Sequence, residues 1–175
     1  MKRLLLVMMC AMFAISASAQ NRNVEFQGYA NVGTTFFSLG AGPTFDVNAG
    51  VRIHDYFYIG AEAGFHALLI PFNFSFGDTI SVNTTAYMLT VPLGINLKGY
   101  FTKGHKFTPY VNASAGGFIE VTEGGGGGFC QAGLGFDYKR FAFGAGYHCM
   151  IANDSYLHMG YLKLGIRFGK GGKYW

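Results

Sequence analysis

Between Phe45 and Ile53 the chain alternates strictly. Phe45, Val47, Ala49, Val51 and Ile53 fall on one parity, and Asp46, Asn48, Gly50 and Arg52 on the other. Successive side chains of a strand point to opposite faces, so this segment has one apolar face and one polar, charged face. The same pattern returns along the chain and gives eight strands in about 150 residues. That leaves neither a helix nor a second sheet to cover the apolar faces, and the solvent that remains for them is lipid.

Composition narrows this further. Half of the residues are hydrophobic and only 13% are charged, yet after residue 20 no run reaches the roughly 18 to 20 apolar residues that a spanning helix needs. Without spanning helices, a membrane chain must close its strands on themselves, because each backbone N–H and C=O in hydrocarbon needs an internal partner. The expected fold is all-β: an eight-stranded antiparallel up-and-down transmembrane β-barrel. The 27 glycines, 18 phenylalanines and 11 tyrosines suit it, with aromatics at the two interfaces and glycines where the interior is crowded.

Lys2 and Arg3 precede an apolar stretch, Leu4 to Ile15, followed by Ala17-Ser18-Ala19 and Gln20. This reads as a secretory signal peptide with an A-x-A cleavage site, its core too short to span. Residues 1–19 are therefore the expected signal peptide and 20–175 a single barrel domain. Cys10 does not make a lipoprotein signal, since Met8 and Met9 stand where small residues are wanted. Loss of Lys2 and Arg3 leaves 11 basic against 9 acidic residues, and no Lys/Arg block or basic helix points to nucleic acid.

The first strand is expected over about Val24–Phe37, then a turn over residues 39–44, and the second strand over Phe45–Ile53. The third turns Phe57, Ile59, Ala61, Ala63 and Phe65 outward. Keeping both apolar sets on one side requires an odd turn, here the three residues His54-Asp55-Tyr56. Residues 68–84, with Pro71 and a Phe72-Phe74-Phe76 alternation, read as the longest loop or as strands extending beyond the membrane. The fourth strand points Tyr87, Leu89, Val91, Leu93, Ile95 and Leu97 outward and Met88, Thr90, Pro92, Gly94, Asn96 and Lys98 inward, with a bulge expected at Pro92. The fifth spans about Phe107–Ile119. Residues 120–128, ending in five glycines, read as a mobile loop. A tight hairpin at Lys139-Arg140 joins the sixth and seventh strands, and the eighth follows residues 151–156, with Leu162, Leu164, Ile166 and Phe168 outward. An even strand count puts both termini of the mature chain in the periplasm. Phe57, Tyr100, Phe101, Phe107, Tyr138, Phe141 and Phe168 then form a periplasmic aromatic girdle.

Three stretches carry a family resemblance: Gly50-Val51-Arg52-Ile53-His54-Asp55-Tyr56-Phe57-Tyr58-Ile59-Gly60, Val91-Pro92-Leu93-Gly94-Ile95-Asn96-Leu97-Lys98 and Leu164-Gly165-Ile166-Arg167-Phe168. Over residues 22–168 the chain resembles the small eight-stranded outer-membrane barrels of the OmpA and OmpX type, also described as porin-family proteins of Gram-negative bacteria. The resemblance implies residence in the cell outer membrane. It also makes Leu164, Ile166 and Phe168 similar to the terminal-strand insertion signal read by the outer-membrane assembly machinery, although here Gly169 to Trp175 follow that Phe.

The expected inward face carries Glu25, Asp46, Glu62 and Asp137 against Arg52, Lys98, Lys163 and Arg167. An eight-stranded barrel is only wide enough inside for side chains, so these charges must pair or keep water. One reading is a packed polar plug, with a structural or surface-interaction role left to loops 68–84 and 120–128. The other is a narrow gated pore in which Glu62 swaps between Arg52 and Lys163. A lipocalin-like soluble carrier would invert the pattern and put Leu89 to Leu97 inside; the aromatics at strand ends and the missing helix and disulfide frame argue against it. A lipid-modifying barrel enzyme would have to draw on Asp154, Ser155 and His158, which read better as an Asx-type turn with no nucleophile motif. His66 and His148 point inward on different strands and could meet at a metal, but read as hydrogen-bonding fillers, so no enzyme, cofactor or metal is expected. With a two-residue turn at Lys139-Arg140, Cys130 falls opposite Cys149, within disulfide reach in an oxidising compartment. Closure leaves no edge strand, so a monomer in outer-membrane lipid is expected.

Overall fold

The computed structural model describes residues 24–38, 40–76, 80–102, 106–152 and 155–169, and over 70–84 the backbone alone. The expected signal peptide, residues 1–19, lies outside the described residues. Eight antiparallel strands form one closed barrel in chain order: β1 (Val24–Phe37), β2 (Gly40–Ile53), β3 (Phe57–Phe76), β4 (Ile80–Tyr100), β5 (Phe107–Glu120), β6 (Gly125–Tyr138), β7 (Phe141–Ala152) and β8 (Ser155–Phe168). β8 pairs back onto β1, with Leu164 opposite Val32. This satisfies both edges that an open sheet would expose to hydrocarbon.

The register fixes the shape of the ring. A path of paired residues runs from Phe26 through Val51, Ile59, Leu97, Ala113, Ala132, Tyr147 and Gly160 and re-enters β1 at Phe36 rather than Phe26. This stagger of ten residues around eight strands tilts the strands by roughly 40° to the barrel axis. Outside, Phe45, Val47, Ile59, Leu93, Ile95, Leu97, Leu134, Leu162, Leu164 and Ile166 are exposed. Inside, Asp46, Glu62, Lys98, Asp137 and Arg167 are buried. The polarity is therefore inverted relative to a soluble barrel, as the alternation requires.

The turn between β2 and β3 has the expected three residues, with Ile53 opposite Phe57. The turn between β6 and β7 is Lys139-Arg140, with Tyr138 opposite Phe141. Two neighbouring strands brace that turn: the Lys139 amide donates to Lys106 O at 3.0 Å, and the Arg167 amide donates to Arg140 O at 2.7 Å.

At the opposite end of the barrel the strands run further than expected. Residues 40–44 belong to β2 and not to a turn, with Pro43 paired to Thr34. Most of the supposed loop 68–84 is strand, from Leu68 opposite Met88 to Phe76 opposite Ile80. Gly125 to Gly128 are strand and not mobile loop, because backbone pairing with β5 needs no side chains. A Cβ on Gly127 would stand 2.0 Å from Ile151 O and 2.9 Å from the Phe118 ring, so these glycines allow a close approach. Residues 151, 152, 155 and 156 are likewise strand.

Pro92 makes no bulge. Ala63 pairs with Leu93 and His66 with Thr90, so the register is the same on both sides, while the two pairs between them are missing. On its other side Pro92 keeps its place opposite Phe118. The ring thus interrupts one ladder without inserting a residue.

Crowding by glycine gives a test. A Cβ on Gly116 would lie 2.1 Å from Leu93 O and 2.5 Å from the Gly94 Cα, both backbone atoms. Gly116→Val should lower stability by roughly 1–3 kcal/mol, read as the urea midpoint of the barrel in lipid, whereas Ala145→Val on the exposed face should be nearly neutral.

Candidate functional site

Among the described residues the lumen is where the barrel gathers titratable side chains away from water, and its contents form three layers. Because inward residues recur at every second position, each layer is drawn from all around the ring.

The first layer lies at the end of the barrel that carries both termini. Tyr29, Tyr58, Tyr100 and Tyr110 pack there with Ala142. The Tyr29 and Tyr100 hydroxyls are 2.5 Å apart, and Tyr29 also donates to Asp137 Oδ2 at 3.1 Å. Arg167 Nη1 reaches the same Asp137 oxygen at 3.2 Å. Lys98 Nζ sits 3.3 Å from the centroid of the Tyr29 ring and 4.5 Å from that of Tyr110. A cation held this close to ring faces is stabilised by their quadrupoles, more strongly where water is excluded. Arg52 lies 4.1 Å over the Tyr100 ring and donates through Nε and Nη2 to Asp55 O at 3.1 and 2.6 Å. Tyr100 is therefore inside and does not belong to the exposed aromatic girdle, where Phe57, Phe101, Phe107, Tyr138, Phe141 and Phe168 do stand. Its parity matches Lys98, and the alternation continues to the end of β4.

The second layer is polar. Lys163 Nζ lies 2.7 Å from Asp46 Oδ2 and 3.8 Å from Glu62 Oε1, and donates to Gln131 Oε1 at 3.0 Å. Asp46 Oδ1 is 2.9 Å from His66 Nε2, and Asn96 Nδ2 donates to Glu62 Oε2 at 3.2 Å. His148 Nδ1 is 3.3 Å from the same Gln131 oxygen. One cation thus ties two carboxylates from β2 and β3 to an amide from β6. The unfilled space here is about 30 Å³, lined by Asn31, Asn48, Glu62, Asn96, Asn112 and Gln131 among others, which is room for a water or two.

The third layer is apolar and was not expected. Leu68, Phe118, Phe129, Met150 and Met159 form a buried cluster inside the far end, joined by Phe37, Met88, Ala152 and Leu157. The Phe129 ring stacks on His148 at 5.6 Å with a 4° interplanar angle, so this lid rests directly on the polar layer. Its members sit on the inward parity of the strand ends. Leu68, Phe129 and Met150 lie just beyond the expected strands, whereas Phe37, Met88, Phe118 and Met159 lie within them.

All eight expected interior charges are on the inward parity, and their closest contacts fall into groups. Asp46, Glu62 and Lys163 meet in the middle layer, and Arg52, Lys98, Asp137 and Arg167 in the tyrosine layer. Glu25, partly buried, pairs in register with Arg52 at the rim. The proposed exchange of Glu62 between Arg52 and Lys163 has no geometric support on the Arg52 side. Arg52 is opposite Tyr58, four residues before Glu62 and so roughly 13 Å away along the strand.

His66 and His148 do meet, with ring centroids 5.4 Å apart, yet His66 is bound to Asp46 and His148 to Gln131. Among the described residues no group of three or more His, Cys, Asp or Glu is arranged to hold a metal ion. His158 points outward, where Nδ1 is bonded to the Tyr147 hydroxyl and its ring stacks with Tyr147 and Tyr156. Ser155 is exposed, and Asp154 lies outside the described residues. His158 is thus engaged by Tyr147, on the face opposite to the lumen.

Cys130 is opposite Cys149, as the two-residue turn demands. The two face each other as free thiols in this structure, so the possible disulfide is placed in register and not formed. Register sets which residues face each other but not the Cβ vectors and dihedral that bonding requires.

Leu164, Ile166 and Phe168 form an exposed apolar row on β8. No family model and no curated protein matches the sequence. Solved structures do match. The N-terminal β-barrel domain of Pseudomonas aeruginosa OprF superposes with a TM-score of 0.51 at 12% identity, covering 81% of this chain and 97% of that one. The Yersinia pestis outer membrane protein Ail, determined in a phospholipid bilayer nanodisc, gives 0.51 at 13% identity, covering 82% and 99%. The chain has the fold of the small outer-membrane barrels. At such identities the shared property is this fold, with its closed eight-stranded wall and apolar exterior, and not the contents of the lumen.

The middle layer of this eight-stranded barrel gives a direct test. Lys163→Met removes the cation that the buried Asp46 and Glu62 share and should cost roughly 3–5 kcal/mol in denaturant unfolding. Adding Asp46→Asn should return part of that loss, and the non-additivity in the double-mutant cycle measures the pairing.

Proposed function

We propose that the protein is an outer-membrane barrel with a sealed lumen, whose role is structural or lies in contacts at the cell surface. The observation that carries this reading is the three-layer filling. A solute entering from the far end would first meet Leu68, Phe118, Phe129, Met150 and Met159, then the Lys163 ion pairs, then the tyrosines around Lys98. An apolar constriction excludes ions by dewetting even before the charges are reached. Localisation in the outer membrane, with both termini in the periplasm, is supported by the fold, the even strand count and the apparent signal peptide. In this orientation the basic turn at Lys139-Arg140 is periplasmic, outer-membrane lipid covers the wall, the assembly machinery inserts the chain, and a monomer suffices.

The surface element that the geometry favours is the β3–β4 hairpin. β3 pairs with β2 only as far as Leu69, opposite Ala41, whereas its pairing with β4 continues to Phe76. On the other side, β4 pairs with β5 only from Thr90 onward. Residues 70–76 and 80–88 therefore form a two-stranded ribbon whose outer edges pair with no strand among the described residues, and such edges are available for contact.

Planar-bilayer recording of the inserted mature chain should give no discrete conductance steps, for wild type and for Glu62→Gln alike. Steps that change in Glu62→Gln would replace the sealed lumen with a gated pore. Shortening the hairpin by removing 72–84 should leave the barrel folded while abolishing surface binding.

A further inference from the structure

The outer wall is not uniformly filled. A groove of about 830 Å³ crosses β6, β7, β8 and β1, with Leu134, Phe136, Phe143, Ala145, Leu162 and Leu164 among its lining. Its cause is visible in the register. Leu134, Ala145, Leu162 and Thr34 form one row across the four strands, and the two small side chains in that row leave a depression. The row below is bulky, Phe136, Phe143, Leu164 and Val32, and its two rings stack at 4.8 Å. Above, the Phe36 ring leans over Gly160, where a Cβ would come within 2.3 Å of it. Aromatic side chains therefore border the depression on both sides.

Below the groove, the same two strands β6 and β7 end in the exposed pair Lys139-Arg140, and exposed Lys106 abuts this turn through the Lys139 amide. From Arg140 to Ala145 is five residues, roughly 16 Å along the strand, and less along the membrane normal once the strands tilt. That span matches the depth of one leaflet of an outer-membrane hydrocarbon layer about 25 Å thick. A positive cluster at the headgroup level and an apolar groove one acyl-chain length above it describe the two ends of a phospholipid.

We infer that this wall binds one anionic phospholipid of the adjacent leaflet, its phosphate on Lys139 and Lys106 and an acyl chain seated over Ala145 between the Phe136–Phe143 and Phe36 rims. The attraction at the turn is charge complementarity, strong where headgroup water is partly displaced. The groove adds contact with a chain that a flat wall would leave to exchange freely. The inference rests on the membrane reading above, and insertion is scored separately.

The test uses the full mature chain, inserted in vesicles of phosphatidylglycerol and phosphatidylcholine, then extracted in mild detergent and weighed by native mass spectrometry. Wild type should retain one phosphatidylglycerol, at least tenfold over phosphatidylcholine. Ala145→Trp fills the groove from an exposed position and should lose retention while its circular dichroism stays that of a folded barrel. Lys106→Gln with Lys139→Gln should erase the preference for the anionic lipid. Inserted wild-type barrel that keeps no lipid, retention unchanged in Ala145→Trp, or equal retention of the two lipids would each overturn the inference. Failure to insert at all would instead overturn the membrane reading.

Discussion

Closure of the backbone hydrogen-bond ring is the constraint on which everything else in this molecule depends. In hydrocarbon an unpaired peptide group costs several kcal/mol, so the β1–β8 seam from Gly28–Phe168 to Phe36–Gly160 is as necessary as any hairpin. Once the ring is closed at eight strands, the lumen is narrow and the inward residues cannot avoid one another. Five buried tyrosines among the described residues, two carboxylates on one lysine, and a lid of Phe, Leu and Met follow from that confinement.

The layers of the lumen solve different problems. Lys163 sits between Asp46 and Glu62, and buried ions tolerate such burial only when paired and hydrogen-bonded. Lys98 and Arg52 are placed against tyrosine rings, which supply negative faces without adding further buried carboxylates. The apolar lid shields both from the far end, and the contact of Phe129 with His148 joins it to the ions beneath. Ion pairs, ring contacts and lid therefore succeed one another along the lumen, and this order supports the sealed barrel proposed above.

Much of this was readable before any coordinates. The alternation from Phe45 to Ile53 assigned inside and outside correctly, and parity across His54-Asp55-Tyr56 and Lys139-Arg140 set both turn lengths. Errors concentrated where glycine and proline replace the usual alternation. Pro43 and the glycines around it read as a turn, and Gly125–Gly128 as a loop, because these residues favour irregular structure when nothing pairs with them. In the barrel, a neighbouring strand on each side supplies the pairing, and tertiary context overrides local preference. Shorter expected strands left out Leu68, Phe129 and Met150, and only the closed ring gathers them with Phe118 and Met159 into the lid.

The sequence by itself determined the two-faced strands, their number, and the inversion of polarity, because these depend only on period and parity along the chain. The tertiary structure decided which charges meet. Asp46, Glu62 and Lys163 come from β2, β3 and β8, and their approach depends on the ten-residue stagger accumulated around the whole ring, a quantity no single strand or hairpin contains. The register at the β8–β1 seam likewise brings Ala145 level with Thr34 through Leu162 to open a groove in the wall, whereas the distance between Glu62 and Arg52 is already set within the β2–β3 hairpin.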